Sequence, residues 1–220
     1  LRDILGNKGE GIIMKTMQES TIVFAGDSIM DADKMNTYDR LGNGFIRLVN
    51  DGLKAFRPWE AYSVVNAGIS GNTSADLLGR WEKDVSSQKP DIVFCMIGTN
   101  DVWRHHDYIN PPSRWLTLED YENNLSAICE KSENIKKFYF MTPYYLEENR
   151  ADRMRAEMDA YGDAMRKVAQ RFNRPVLDVQ ARFDEYMKHR PGQSINWDRV
   201  HPQGIGSMII ARIVLETICV

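Results

Sequence analysis

Pro90-Asp91-Ile92-Val93-Phe94-Cys95-Met96-Ile97-Gly98-Thr99-Asn100-Asp101 is the most apolar stretch of the chain, and it breaks off abruptly into polar residues. Residues 92–97 show no polar alternation, which predicts a strand covered on both faces, as in a parallel sheet. Working outward, Thr21-Ile22-Val23-Phe24-Ala25-Gly26-Asp27-Ser28-Ile29-Met30 has the same form. A short buried strand over 22–25 is stopped by Gly-Asp-Ser at its carboxyl end. Further strands are predicted at 62–66, 137–142 and 175–179. Helical patterns fall at about 44–56, 74–85, 118–132 and 150–172, and a last helix runs from Pro202 through Ile218. Phe45, Leu48, Val49 and Leu53 share one helix face, and Met154, Met158, Tyr161, Met165 and Val168 read as a core stripe rather than a cofactor box. Five strands alternating with helices predict an α/β fold, with a parallel sheet covered on both faces and right-handed crossovers. Ligands of such sheets bind outside the carboxyl ends of the strands. Three polar loops, carrying Ser28, Gly71 and Asn100, leave those ends.

With 220 residues the chain fits one domain, read as 21–220 after a lead-in over 1–20 that is rich in glycine and charge. That lead-in has a surface or a neighbouring subunit to pack on, so a homo-oligomer is open, though nothing chemical requires one. Charged residues make up 27% and the formal charge is −3, with no basic block, so neither nucleic acid nor an anionic membrane is an expected partner. A neutral small molecule fits better. Cys95, Cys129 and Cys219 are odd in number, dispersed and set in apolar segments, which points to a reducing compartment. The first twenty residues lack the apolar core of a signal peptide, and no apolar run approaches the ~18 residues of a membrane span. A cytoplasmic location is expected. No metal-ligand spacing stands out, and no cofactor is called for.

A serine at a strand end is a weak nucleophile unless it has a base, a group orienting that base, and donors for the developing oxyanion. His105 and His106 lie in a polar loop and His189 in a basic stretch, where each reads as solvated or capping. His201 differs: in Asn196-Trp197-Asp198-Arg199-Val200-His201-Pro202 a carboxylate precedes it by three residues and proline follows. Proline disfavours the α region for the residue before it and suits the first position of a helix, so His201 is held extended at a helix mouth. Asp198 can bend back to its Nδ1 and leave Nε2 for the serine. The competing reading makes Asp198 and His201 a capping pair. Gly71 offers an unobstructed backbone N–H and Asn100 two side-chain N–H donors, which with the Ser28 N–H make a three-donor oxyanion hole. Singly, each is also explained as a turn or cap residue, and Asp27 as the cap of the helix that follows it.

Gly26-Asp27-Ser28, the Gly71 loop, Gly98-Thr99-Asn100-Asp101 and Asp198-Arg199-Val200-His201 together resemble the four ordered blocks of the SGNH, or GDSL-type, hydrolases. Ile29 stands where leucine is usual. The resemblance implies a flavodoxin-like three-layer α/β/α fold, Ser28 as nucleophile, His201 as base, Asp198 as its orienter, and Ser28, Gly71 and Asn100 as oxyanion donors. Residues 69–73, 98–104, 141–145 and 197–202 are similar to the subgroup containing intracellular acetylxylan esterases, which remove acetyl groups from xylo-oligosaccharides. On that reading Trp103, Tyr144, Tyr145 and Trp197 are platforms for sugar rings, Arg104 and Asn72 bind hydroxyls, and Asp27 belongs to the substrate-facing set. For any one aromatic, packing of the loops is the competing explanation. The rival activities are a thioesterase or lysophospholipase on the same site, a non-catalytic carbohydrate-binding module, or a nucleotide binder using the 68–74 loop, which however holds no basic residue.

Overall fold

The computed structural model describes residues 19–107, 111 and 115–219. The lead-in over 1–18 lies outside the described residues. Glu19 and Ser20, read as its end, instead begin the first strand, because Glu19 pairs with Ala61 and Ser20 with Tyr62 across the sheet.

The strands are β1 (Glu19–Gly26), β2 (Ala61–Gly68), β3 (Ile92–Met96), β4 (Lys137–Met141) and β5 (Val176–Leu177), all parallel, in the order β2-β1-β3-β4-β5. The helices are α1 (Ser28–Asp31), α2 (Phe45–Phe56), α3 (Ser74–Asp84), α4 (Thr99–Trp103), α5 (Leu118–Glu130), α6 (Arg153–Arg171), α7 (Val179–Met187) and α8 (Gln203–Ile218). Right-handed crossovers put the connection from β1 to β2 on one face and those from β2 onward to β5 on the other, and the returning α8 joins the first face. The packing follows: α2 lies against α8, and α3 and α6 lie against α5. The result is the three-layer flavodoxin-like sandwich.

The middle of the sheet carries the core. Residues 22–25 and 93–97 are wholly buried, and Phe24 stacks on Phe94, which stacks in turn on Tyr139, each pair 5.1 Å between ring centres. The stripe of α6 is buried as its spacing predicted. Each such side chain contributes on the order of 2 kcal/mol by leaving water. Two elements differ from expectation. β5 is only two residues long because the Asp178 carboxylate accepts the Ala181 N–H and starts α7 at once. The stretch after Gly98, read as a loop, is the short helix α4. Among the described residues no helix is long and apolar enough to cross a membrane.

Candidate active site

The order reverses between β1 and β3: the chain leaves β1 for one side of the sheet and β3 for the other. A crevice opens at such a point outside the carboxyl ends. Ser28 stands on one lip, at the start of α1, and Asn100 on the other, in α4. Gly26 lets the two strand ends approach, since a Cβ there would stand 2.2 Å from the Met96 carbonyl oxygen.

The Ser28 Oγ lies 3.0 Å from His201 Nε2, and His201 Nδ1 lies 2.8 Å from Asp198 Oδ2. With Nδ1 donating to the carboxylate, Nε2 is the acceptor facing the serine hydroxyl. The second Asp198 oxygen accepts the Val200 and His201 backbone N–H groups at 2.9 and 3.0 Å, so the carboxylate caps its own loop while gripping the ring. Burial pushes the Asp198 carboxyl up, but those hydrogen bonds outweigh it and hold the group below its ordinary value. The loop is fixed from beneath: Tyr144 donates to the Val200 carbonyl at 2.8 Å, Leu146 N–H to the Arg199 carbonyl at 2.9 Å, and Arg199 pairs with Glu147.

Gly71 adopts φ +82°, a conformation that favours glycine, and its N–H has no partner among the described residues. Asn100 is nearly buried and donates one Nδ2 hydrogen to the Asn72 carbonyl at 3.0 Å, which leaves its second hydrogen free. Its neighbour Asp101 accepts the Ser74 N–H and hydroxyl, tying α4 to the start of α3. Burial raises this carboxyl to about 6 against the pull of Ser74.

Several residues expected to face substrate have other work. Tyr144 is fully buried and packs on Phe183 at 4.5 Å, so its ring supports the His201 loop and offers no sugar platform. Tyr145 is buried under the Arg199 guanidinium at 4.8 Å. The Asn72 side-chain oxygen is taken by Arg80 Nε at 2.6 Å, which makes Asn72 an anchor of the Gly71 loop. Asp27 is 1% exposed, and its carboxylate accepts the Ile29 N–H at 3.0 Å as the cap of α1. Its other oxygen is buried without a partner among the described residues, and burial, offset by the Ile29 bond, raises this acid to about 7. Trp103 remains beside the site with its ring 6.0 Å from that of His201. Arg104 Nη2 comes within 3.6 Å of where a Gly71 Cβ would stand, though the guanidinium also pairs with Asp107. Trp197 is 83% exposed next to Asp198. His105 and His106, expected in solvent, both bond Glu157 of α6, at 2.5 and 2.7 Å.

Arg80 carried no sequence signal, because one arginine on a helix face looks like any other. It donates to the Gly26 carbonyl at 2.9 Å, to the Ala67 carbonyl at 2.8 Å and to Asn72, joining the ends of β1 and β2 to the Gly71 loop. Asp31 takes the N–H and hydroxyl of Ser70 at 3.0 and 2.7 Å and fixes the other end of that loop. Among the described residues no cluster of His, Cys, Asp and Glu is arranged to hold a metal ion.

A serine, an imidazole and a carboxylate in line are the groups that acyl transfer through a covalent intermediate uses. Residues 24–208 match the model of the GDSL-like lipase/acylhydrolase family, and the chain belongs to that family of carboxylic ester hydrolases. It is similar to the acetylxylan esterase of Geobacillus stearothermophilus, with 41% identity over 93% of this chain and 96% of that one. The crystal structure of that esterase, Axe2, superposes with a TM-score of 0.86 over 92% of this chain and 95% of the other. Its solved catalytic mutants replace a serine, an aspartate and a histidine with alanine. LAE5, a hydrolase from the metagenome of Lake Arreo, superposes with a TM-score of 0.85 at 42% identity, covering 90% and 94% of the two chains.

Proposed function

We propose that this protein is a serine esterase that removes acetyl groups from small carbohydrate esters such as acetylated xylo-oligosaccharides. The observation that carries the reading is the line from Ser28 Oγ through His201 to Asp198, with spacings of 3.0 and 2.8 Å, in a chain 41% identical to an acetylxylan esterase. His201 Nε2 takes the Ser28 proton as Oγ attacks the acetyl carbonyl, while Asp198 stabilises the imidazolium and keeps its orientation. The oxyanion receives the Ser28 N–H, the Gly71 N–H and the second Nδ2 hydrogen of Asn100. Collapse expels the sugar alkoxide, which His201 protonates. A water deprotonated by His201 then attacks the acetyl-serine, and as the acyl–Oγ bond breaks His201 returns that proton to Ser28 Oγ and acetate leaves.

Described cysteines that are all free, two of them buried, fit a reducing, cytoplasmic setting. The domain we assign spans 21–220, with the two residues before it completing β1.

Acetate release from acetylated xylo-oligosaccharides tests the reading. The wild-type protein is expected to turn these over, and Ser28→Ala to lose at least roughly 10³-fold in kcat with an unchanged melting temperature. A wild-type preference for 4-nitrophenyl octanoate over the acetate, with no release from the sugar esters, would overturn it.

A further inference from the structure

A cavity of about 330 Å³ opens beside Ser28, between α1 and the starts of α2 and α8. Ser28 and His201 are in its wall, whereas Gly71 and Asn100 are not. A carbonyl oxygen held by those two donors therefore points away from the cavity. His201 must hand its proton to the leaving oxygen, so the alcohol lies on the side of the histidine. An acetyl methyl needs no space of this size.

Ser207 lies in the same wall, 3% exposed, with no hydrogen-bond partner for its hydroxyl among the described residues. Ser126 and Thr217, also on helices, each donate to the carbonyl four residues back, the usual way a helix absorbs a hydroxyl. Ser207 does not, and as part of the cavity lining its hydroxyl is left for a ligand to bond. Gly44 is in the same wall, where a Cβ would stand 2.8 Å from the Ala32 methyl.

The surroundings say what kind of group fits. Both α2 and α8 begin at this wall with no side-chain cap, so their first N–H groups are available as donors. Asp33 adds a carboxylate to the lining, which accepts hydroxyls and repels an anion, and Ile29 and Pro202 add apolar surface. Donors, an acceptor and apolar patches together suit a neutral hydroxylated ring rather than a carboxylate or an alkyl chain. We infer that this cavity is the subsite for the leaving alcohol and that Ser207 is a specificity-determining residue hydrogen-bonding a hydroxyl of the sugar ring. The inference rests on the esterase reading above.

The test compares kcat/KM for two acetate esters of similar bulk, a monoacetylated methyl xylopyranoside and cyclohexyl acetate. Ser207→Ala is expected to lower the value for the xyloside about 10-fold, the weight of one hydrogen bond, and to leave cyclohexyl acetate within about twofold. Ser207→Leu, checked for folding by its melting temperature, fills the cavity and is expected to depress both ring esters while sparing methyl acetate. An unchanged xyloside rate in Ser207→Ala, or an equal fall on both ring esters, would overturn the inference and leave the esterase reading standing. So would a Ser207→Leu effect that follows acyl length, acetate against butyrate, because the cavity would then hold the acyl chain. Wild-type hydrolysis of cyclohexyl acetate with none of the xyloside is a separate outcome: it removes the carbohydrate reading itself, and the inference with it.

Discussion

Asp27 sits next to Ser28 in sequence and is buried. One of its oxygens has no partner among the described residues, and burial raises the acid from 3.8 to about 7. An unfolded chain loses this proton near 3.8, whereas the folded one keeps it to about 7. The stability contribution is therefore complete below the lower value and falls away as pH rises through the higher one. Asp27→Asn carries no charge to bury, and thermal melts should find its stability relative to wild type improving steadily from pH 4 to about pH 8. A difference independent of pH would mean that the carboxyl is ionised throughout. Residue chemistry in this site was legible from sequence, and residue exposure was not. Tyr144, Tyr145 and Trp197 looked alike as aromatics near strand ends, yet the first two are buried and the third is 83% exposed. What separates them is the tertiary packing of α7 and Arg199, which no local pattern records.

Elements with a strong period were readable: β1 and β3 as unbroken apolar runs, α6 as a stripe. The short ones were not, because α4 has five residues and β5 two, too few for a period to emerge. The loop carrying Gly71 shows the same division. Its glycine was legible, but the parts that hold it come from α1, α3 and α4, through Asp31, Arg80 and Asn100. Arg80 acts through Asn72 and the Gly26 carbonyl and is a positioning residue. Arg80→Ala should lower kcat roughly 10- to 100-fold with little change in KM, because it loosens donors that matter most in the transition state. Arg80→Lys should recover part of that loss. Steady-state kinetics with a sugar acetate read both values, and a rise in KM alone would place Arg80 in ground-state binding instead.

Across the whole molecule, Ser28 and Asn100 follow the two strands between which the sheet order reverses, and His201 reaches Ser28 there. That the loops after parallel strands leave one edge of the sheet was legible from sequence, whereas the order that sets β1 beside β3 was not. The cavity beside Ser28 was not predictable, since Gly44, Asp33 and Ser207 come from three segments with no shared motif. The central claim is that Ser28 carries the acetyl group between the two half-reactions. Acid-quenched turnover of 4-nitrophenyl acetate, followed by peptide mass spectrometry, reads it directly. An acetyl adduct is expected on the peptide containing Ser28 and is absent from Ser28→Ala. An adduct on another side chain, or undiminished turnover by Ser28→Ala, would contradict it.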